Sequence, residues 1–256
     1  MLRVKIFKNE QVAGHAYKMT LAAPVIAKFA QPGQFVMVKC ADGIQPLLRR
    51  PLGVHNVKGS EVEILYEIIG EGTKLLSQKK SGQALDIIGP LGTGFKFPKG
   101  SDPCGKNILI AGGMGVAPLL FLAKKINKSQ VLVLIGAKTK QEILCKKEFK
   151  KFGCNVKVVT DDGSAGHKGF VTDLLQDRGH LFKGVPAMLY ACGPKPMLKA
   201  VSEFSKRRKI PAQISLEEHM ACGIGACLGC IVNTKSGQKR VCKEGPVFDA
   251  REIIWE

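Results

Sequence analysis

The sequence predicts three structural units: an all-β Greek-key barrel over residues 1–100, a doubly wound parallel-sheet α/β domain over residues 101–214, and a small cysteine-rich C-terminal subdomain over residues 215–256. Short apolar–polar alternations fill the first unit, whereas apolar strands alternate with helical segments in the second. Four cysteines fall close together in the third. The chain has 256 residues, 45% of them hydrophobic, which is enough for two cores and a small appendage.

The first unit is predicted to form a barrel because its strands are short and are separated by turn residues. Glycine, proline, aspartate and serine cluster between the apolar segments, for example at 31–33, 58–60 and 89–94. A short helix, which begins at Gly70-Glu71-Gly72-Thr73, interrupts the strands. About six short antiparallel strands are typical of a small barrel. These strands are predicted over residues 2–8, 16–21, 34–40, 52–57, 61–69 and 85–88.

The second unit is predicted to be a parallel sheet with helices on both faces. A linker that contains proline and glycine precedes it at residues 98–103, and the alternation of strands and helices begins at Lys106. This alternation is the pattern of a doubly wound fold. Strands are predicted over 107–111, 131–136, 156–160, 187–192 and 213–216, and helices over 116–126, 141–152, 170–176 and 195–206.

The formal net charge of +18 would suit nucleic acid, an acidic partner protein or anionic cofactors. The basic residues are dispersed, however, and the chain has three tyrosines and one tryptophan for base stacking and no nucleic-acid motif. A lysine-rich solvated surface is therefore favoured over nucleic-acid binding. No apolar run approaches the ~20 residues of a membrane span, and the N-terminus lacks a signal-peptide pattern, so we expect a cytoplasmic protein that does not bind membranes.

The last quarter of the chain contains the strongest chemical signal. Cys222, Cys227 and Cys230 follow the spacing C-x4-C-x2-C, and Cys242 follows after eleven residues. This spacing is typical of a plant-type 2Fe–2S site, in which four thiolates bind two iron atoms. Glycines between the first three cysteines would let a loop curl around a cluster, and Cys242 would return on a hairpin whose turn lies at 235–238. A zinc site or a disulfide pair is the alternative, although zinc favours paired C-x2-C motifs and a reducing compartment disfavours disulfides.

One strand end in the second unit is a candidate pyrophosphate site. Gly112, Gly113, Gly115 and Pro118 lie in a turn between a predicted strand and a helix. Backbone N–H groups and the helix N-terminus can bind an anion there, and the missing side chains let it approach. The spacing departs from G-x-G-x-x-G, so an ordinary strand-to-helix turn is the alternative.

Two further strand ends could contact a nicotinamide nucleotide. Cys192, Gly193 and Pro194 lie at the carboxyl end of a predicted parallel strand, where ligands of such sheets bind, and Cys192 is a candidate to lie beside a nicotinamide ring. The alternative for Cys192 is a small buried side chain. Asp161 also ends a strand and could contact ribose hydroxyl groups, or it could belong to a polar turn.

Two features of the first unit can bind phosphate. Arg50 begins a strand and can donate two N–H groups to one phosphate. Gly72 and Thr73 open the short helix, whose N-terminus attracts anions. For each of them an ordinary surface arginine or helix cap is the alternative.

A small barrel followed by a nucleotide-binding domain resembles the ferredoxin–NADP reductase superfamily. Its flavin motifs, Arg-x-aromatic-Ser and Gly-x-Gly-Thr, are matched here by Arg50-Pro51-Leu52-Gly53 and Gly70-Glu71-Gly72-Thr73. Its nicotinamide motifs are matched by the loops that begin at Gly112 and Cys192. The ending, from Ser215 through the cysteines to Phe248, resembles more narrowly the family of electron-transfer subunits of NAD-dependent dihydroorotate dehydrogenase.

This resemblance implies an electron relay in pyrimidine biosynthesis. A separate FMN-containing catalytic subunit would oxidise dihydroorotate, and electrons would pass through the 2Fe–2S cluster and FAD to NAD+, in an assembly expected to be a heterotetramer. Cys192 would be the catalytic residue, and the metal ligands would be Cys222, Cys227, Cys230 and Cys242. The implied cofactor-binding residues are Arg50, Pro51, Leu52, Gly53, Leu65, Tyr66, Glu67, Gly72, Thr73, Gly112, Gly113, Gly115, Pro118, Asp161, Gly193 and Pro194.

Two residues depart from the motifs of this family, and a third leaves the choice between NAD and NADP open. Gly53 stands where the flavin motif has serine, so one hydrogen bond to the flavin ring is absent or is made by backbone. Glu67 stands where related subunits commonly have arginine, and a carboxylate there should repel a pyrophosphate or point away from it. Lys138 follows a strand where a cation can bind a 2′-phosphate, so residues alone do not separate NAD from NADP. A stand-alone NAD(P)H-dependent reductase that serves another acceptor and a zinc-bearing interaction protein are the alternatives.

Overall fold

The structure, a computed structural model, describes residues 1–97, 105–126, 131–176 and 186–255. The first unit contains strands β1 (Leu2–Ala13), β2 (Ala16–Ala22), β3 (Phe35–Val38), β4 (Arg50–Lys58), β5 (Glu61–Glu67) and β6 (Ala84–Leu91) and helices α1 (Pro24–Phe29) and α2 (Glu71–Ser77). The six strands close a barrel in the order β1-β2-β5-β4-β3-β6, and every neighbouring pair is antiparallel. The inward side chains of Ile6, Leu21 and Ile64 are buried, which confirms the predicted alternation.

The second unit is the predicted parallel α/β domain. It contains β7 (Lys106–Gly112), α3 (Val116–Lys125), β8 (Val131–Ala137), α4 (Lys146–Lys151), β9 (Asn155–Thr160), β10 (His167–Lys168), α5 (Asp173–Gln176), β11 (Ala187–Cys192), α6 (Lys195–Arg208) and β12 (Ala212–Ser215). The C-terminal unit adds β13 (Ile231–Thr234), β14 (Gly237–Arg240) and β15 (Val247–Asp249). The seven-stranded sheet has the order β10-β9-β8-β7-β11-β12-β15. Its central strands are buried on both faces, which explains their continuous apolar sequences.

Several elements differ from the predicted ones for local reasons. The helix predicted over 141–152 begins only at Lys146, because Cys145 has a left-handed φ of 59° and interrupts it. Strand β1 continues to Ala13, past two irregularities in register that obscure its alternation. Helix α1 was not predicted, and neither was β15, which pairs antiparallel with β12 and so joins the end of the chain to the α/β sheet. The predicted linker at 98–103 lies outside the described residues.

Helix α3 joins the barrel to the α/β domain. Its Leu119 and Leu122 pack in the core of the α/β domain, whereas Phe121 packs in the core of the barrel. The two units therefore share one helix at the boundary where the cleft described below is found. None of the helices in the described parts of the chain has both the length and the apolar character of a membrane span.

Candidate cofactor cleft and metal centre

A cleft of about 260 Å³ lies between the barrel and the α/β domain. One wall is formed by β4 and β5, and the other by the start of α3, the end of β11 and the segment after β12. The structure thus brings motifs that are far apart in the sequence into one site. The predicted site residues that line the cleft are Pro51, Leu52, Gly53, Leu65, Tyr66, Glu67, Thr73, Pro118 and Cys192.

The barrel wall combines a rigid aromatic residue with an open position. Tyr66 is buried, its ring stacks on Tyr17 with centroids 5.9 Å apart, and its hydroxyl donates to Asn9 Oδ1 at 3.0 Å. Burial raises the pKa of Tyr66, so the ring stays neutral. At Gly53, which pairs with Phe35, an added Cβ would meet no atom within 4 Å. The wall is therefore open at the position where the flavin motif has serine.

The predicted phosphate cradle consists of Arg50 and the start of α2. A Cβ added at Gly72 would lie 2.9 Å from Arg50 Nε, so the glycine leaves room for the guanidinium group. Thr73 Oγ1 accepts the backbone N–H of Ile69 at 3.0 Å, which makes it a cap within the chain rather than a free hydroxyl. Glu67 is exposed at the end of β5, so its carboxylate is screened by water.

The opposite wall is formed where the loops after β7 and β11 touch. These strands are parallel neighbours, and Ala111 pairs with Cys192. A Cβ added at Gly115 would lie 2.8 Å from the backbone nitrogen of Gly193 and closer still to the carbonyl oxygen of Cys192. Only glycine permits this approach. The two loops bring together Gly112, Gly113, Gly115, Gly193 and Pro194.

Several predicted cofactor-binding residues lie within two residues of lining residues in the sequence but do not line the cleft themselves, namely Arg50, Gly72, Gly112, Gly113, Gly115, Gly193 and Pro194. Two other candidate nucleotide contacts, Asp161 and Lys138, lie farther along the sheet. Asp161 follows β9, two strands away from β7, and its side chain is exposed. Its backbone N–H donates to the carbonyl oxygen of Ala137 at 3.1 Å. Lys138 is exposed after β8. The structure does not bring Asp161 to the cleft, and its contact with a ribose stays a prediction.

Cys192 lines the cleft although its residue is only 1% exposed. Burial raises the pKa of its thiol, and the nearby carboxylate of Glu217 raises it further, against the effect of a hydrogen bond with Ser215. The side chain is therefore a neutral thiol beside the cavity. Ser215, Glu217 and Met220 also line the cleft and were not predicted to do so. They could have been found from the sequence because they lie between the end of a parallel strand and the first cysteine of the metal loop.

The four predicted metal ligands are arranged as two sulfur pairs. The backbone N–H of Cys242 donates to Cys230 Sγ at 3.4 Å, and Cys227 lies close enough to Cys222 to lower the pKa of the Cys222 thiol. In the described ranges, no three histidine, cysteine or acidic side chains are grouped so that they could hold a single metal ion. The preference for an iron–sulfur centre over zinc therefore rests on the spacing of the cysteines, which is that of a 2Fe–2S site.

The loop between the first ligands is curled as the sequence predicts. Gly223 and Gly225 have φ values of 71° and 84°, which favour glycine. The backbone N–H groups of Ile224 and Ala226 donate to Cys222 Sγ at 3.5 and 3.3 Å. Burial acts to raise the pKa of Cys222, but hydrogen bonding by Ile224, Cys227 and Ala226 outweighs it and lowers the pKa to about 6. A thiolate surrounded by N–H donors fits an iron–sulfur cluster.

Arg240 braces the metal loop and was missed by the sequence reasoning. Its Nη1 donates to the carbonyl oxygen of Gly225 at 2.8 Å, and its Nε donates to Glu244 at 3.0 Å. Arg240 therefore connects the three-cysteine loop to the segment that carries Cys242. The signal available in the sequence was a pair of opposite charges two residues before and two residues after Cys242.

The metal centre and the cleft are continuous. Met220 lines the cleft two residues before Cys222, and Pro246 lines it four residues after Cys242. The loop also rests on the barrel, because a Cβ added at Gly223 would lie 2.7 Å from the sulfur of Met37 on β3. Groups bound in the cleft and at the cysteines would be direct neighbours.

Comparisons with known proteins agree with this arrangement. Residues 217–254 match the iron–sulfur cluster binding domain of dihydroorotate dehydrogenase B, and residues 109–203 match an oxidoreductase NAD-binding domain. A protein of Desulforamulus reducens named dihydroorotate dehydrogenase B (NAD(+)), electron transfer subunit, is 42% identical over 260 residues, covering 98% of this chain and 97% of its own. A protein of the same name from Caldanaerobacter subterraneus is 40% identical over 258 residues, covering 99% and 98%.

Solved structures show the same fold. A structure of an NADH-dependent reduced ferredoxin-NADP oxidoreductase, studied for flavin-based electron bifurcation, has a TM-score of 0.86 and 31% identity, covering 98% of this chain and 90% of its own. Ferredoxin-NADP+ reductase from Plasmodium falciparum has a TM-score of 0.66 and 17% identity, covering 83% and 95%. The second likeness shows the fold alone.

Proposed function

We propose a function for this chain from one premise: the chain belongs to the family of dihydroorotate dehydrogenase B (NAD(+)) electron transfer subunits. It is an NAD-linked oxidoreductase subunit whose cofactors are a 2Fe–2S cluster, FAD and NAD. In the proposed function, it links a subunit that oxidises dihydroorotate, in pyrimidine biosynthesis, to the reduction of NAD+. The observation that carries this proposal is the continuity of the cleft with the metal loop through Met220 and Pro246.

The barrel wall is proposed to hold the flavin. Pro51–Gly53 and Leu65–Glu67 would contact the ring, and Arg50 with the backbone of Gly72 would hold phosphate. FAD, when bound, can exchange electrons singly and in pairs, which is what a link between a cluster and a nicotinamide requires. The chain contributes by orienting the flavin, because the buried and stacked Tyr66 gives the site a rigid wall.

The opposite wall is proposed to hold NAD. The backbone N–H groups of the turn at Gly112–Gly115 precede the ten-residue helix α3, and together they would bind the pyrophosphate. Cys192 would lie beside the nicotinamide as a neutral thiol that excludes water and adds no charge. Asp161 is the proposed ribose contact, reached by the part of the nucleotide that extends along the strand ends toward β9.

The cysteine loop is proposed to hold the cluster and to face the partner. Cys227 is the exposed ligand, and Ile224 and Leu228 beside it are each 56% exposed. Apolar side chains displayed around a redox centre suit the docking of another protein. We propose that this partner is the FMN-containing catalytic subunit and that the assembly is a heterotetramer. Iron-ligating thiols must stay reduced, which supports a cytoplasmic location.

A second candidate function uses the same site with another partner. The likeness to the NADH-dependent reduced ferredoxin-NADP oxidoreductase, at 31% identity over 98% of this chain, favours it. The exposed Lys138 after β8 could bind a 2′-phosphate. In this alternative, the chain would exchange electrons between NAD(P)H and a ferredoxin or a similar acceptor.

Replacement of Cys227 by serine tests the proposed route. Prepared with the dihydroorotate-oxidising subunit, the variant should retain FAD and NADH-to-dye activity but lose dihydroorotate-dependent reduction of NAD+. The matched control is Cys145→Ser, at a cysteine outside the site, which should retain both activities. Retained coupling in Cys227→Ser would show that the cluster is not on the route. A wild-type chain that accepts no electrons from the dihydroorotate-oxidising subunit but reduces ferredoxin would favour the second candidate function.

A further inference from the structure

A hydrogen bond connects β4, which forms part of one wall of the cleft, to α3, which forms part of the other. His55 lies on β4, two residues after Gly53, and its residue is 2% exposed. Its ring Nδ1 is 2.8 Å from the carbonyl oxygen of Ala117, which lines the opposite wall in the first turn of α3. We infer that His55 is a positioning residue. It fixes the distance between the barrel wall, proposed to hold the flavin, and the opposite wall, proposed to hold NAD. The inference rests on the proposed function of the cleft.

A β-bulge places Asn56 beside His55 on the face of β4 that meets α3. Val54 pairs with Ile64 and Asn56 pairs with Glu63, so β4 has one more residue than β5 at this point. Val54, His55 and Asn56 are all buried, and the ordinary alternation of a strand already turns His55 to the face opposite Val54. Val54 packs in the core of the barrel, whereas His55 points out of it toward Ala117. The extra residue leaves Asn56 on this outer face as well, where Lys124 of α3 contacts it. Bulges beside functional sites commonly re-aim one side chain, which here is that of Asn56.

The same face of α3 makes two further contacts with the barrel. Ala117, Phe121 and Lys124 are four and three residues apart, so they form one stripe along the helix. Phe121 is 1% exposed and packs in the core of the barrel. Lys124 Nζ is 3.3 Å from Asn56 Oδ1 and also donates to the carbonyl oxygen of Val57. The helix is therefore attached to the barrel at its start, its middle and its end.

His55 is neutral, with its proton on the ring nitrogen that faces Ala117, and this state suits a permanent hydrogen bond. A carbonyl oxygen only accepts hydrogen bonds, so Nδ1 carries the proton toward Ala117. Burial lowers the pKa of His55, against the raising effects of this hydrogen bond and of Glu63, so the ring is neutral near pH 7. Glu63 is itself held by Asn56 at 2.8 Å and by Lys58 at 2.7 Å. These bonds order the strand that carries His55.

The position of α3 matters because the helix follows the turn proposed to bind NAD. A displacement of Ala117 would carry the turn at Gly113–Gly115 with it and change its distance from Gly53 on the other wall. Reacting groups must be held within about 0.5 Å, and a misplacement of about 1 Å can lower a rate about 100-fold. His55 itself does not line the cleft, so it acts through Ala117.

The test compares two substitutions at His55. His55→Leu removes the donor and keeps an apolar side chain in the buried site, whereas His55→Asn keeps an N–H donor on the atom next to Cγ. The matched control is Ser205→Ala, which removes a buried hydrogen bond to the carbonyl oxygen of Ile210 away from the cleft. His55→Leu should slow reduction of the bound flavin by NADH by about 10-fold and raise the KM for NADH, with flavin content unchanged. His55→Asn should recover most of the rate, and Ser205→Ala should match the wild type.

Amide hydrogen exchange of the full chain gives a readout that does not depend on the proposed function. His55→Leu should accelerate exchange at the start of α3, residues 116–120, and Ser205→Ala should not. If the wild type neither binds FAD nor oxidises NADH, the proposed function fails, and the exchange rates still decide the role of His55. The role is overturned if His55→Leu has wild-type kinetics and exchange, or if Ser205→Ala is equally impaired. Should His55→Leu fail to fold, His55→Gln, whose N–H group is attached one atom farther from Cγ and so is displaced from the position of Nδ1, replaces it with the same expectations.

Discussion

Alanine in place of Gly115 should force apart the two loops that form the nicotinamide side of the cleft. The added Cβ would start 2.8 Å from the backbone nitrogen of Gly193 and closer still to the carbonyl oxygen of Cys192, whereas ordinary contact begins at 3.4 Å. Both neighbours are backbone atoms at the end of β11, so they cannot rotate away as a flexible side chain would. The turn after β7 must therefore move by at least several tenths of an ångström.

This displacement should affect stability and catalysis to different degrees. Forcing an extra methyl group into a packed site costs ~1–3 kcal/mol in the free energy of unfolding. Because a misplacement of about 1 Å can lower a rate about 100-fold, we expect reduction of the flavin by NADH to slow by ~10–100-fold. FAD and iron contents should be unchanged, since the flavin wall lies on β4 and β5 and the metal ligands lie beyond residue 220.

Anaerobic rapid mixing of the purified variant with NADH measures this effect, and two glycine variants control for it. Gly43→Ala adds the same methyl group where no atom lies within 4 Å. Gly113→Ala also meets no atom, but its φ of 52° adds backbone strain of about 1 kcal/mol at the same turn. A wild-type rate and KM in Gly115→Ala would refute the reasoning. Equal slowing in Gly113→Ala would assign the effect to strain instead of to separation of the loops.

Three further substitutions or conditions test other parts of the site. Gly53→Ser should fold with wild-type stability, because its side chain enters open space, and it should shift the flavin absorption bands and potential. Arg240→Gln should accelerate removal of iron by a chelator, since the bond to the Gly225 carbonyl oxygen is lost, whereas Arg251→Gln, which breaks an exposed ion pair, should not. The free energy of unfolding, measured in urea, should fall as the pH drops below about 6.5. Burial lowers the pKa of His55, so in this range the unfolded chain binds a proton that the folded chain excludes.

Each of these expectations has an outcome that contradicts it. If Gly53→Ser destabilises the protein and leaves the flavin spectrum unchanged, the wall is not open at this position. If Arg240→Gln and Arg251→Gln lose iron at the same rate, Arg240 does not stabilise the metal loop. The pH dependence should diminish in His55→Asn. The charged groups that act on His55 are Glu63, Lys18 and Glu148. Glu63 titrates at lower pH, because its hydrogen bonds to Lys58 and Asn56 outweigh the effect of its burial and lower its pKa.

Local periodicity was enough to predict most of the fold. The barrel strands and the parallel strands have regular patterns because each buries one face or both faces in a single core. The pattern misled where the backbone is irregular: Cys145 has a left-handed φ that no apolar pattern reveals, and β1 contains shifts in register. Strand β15 has only three residues and pairs with a distant strand, so nothing in its own sequence could identify it.

The candidate site was predictable where the signal is local. The cysteine spacing and its glycines belong to one short stretch of sequence, and the curled backbone that they predict is found. The contributions of Ser215, Pro246 and His55 depend on tertiary packing. His55 is the clearest case, because its hydrogen-bond partner Ala117 lies on a helix 62 residues later in the chain.

Metal and flavin analysis of the anaerobically prepared chain, made together with its partner subunit, tests the central claim most directly. The four cysteines and the adjoining cleft predict about two iron atoms and one FAD per chain. They also predict a yellow-brown visible spectrum that bleaches when NADH is added. A colourless protein with one zinc ion per chain, or a preparation without iron, would contradict the claim that this chain is an electron relay.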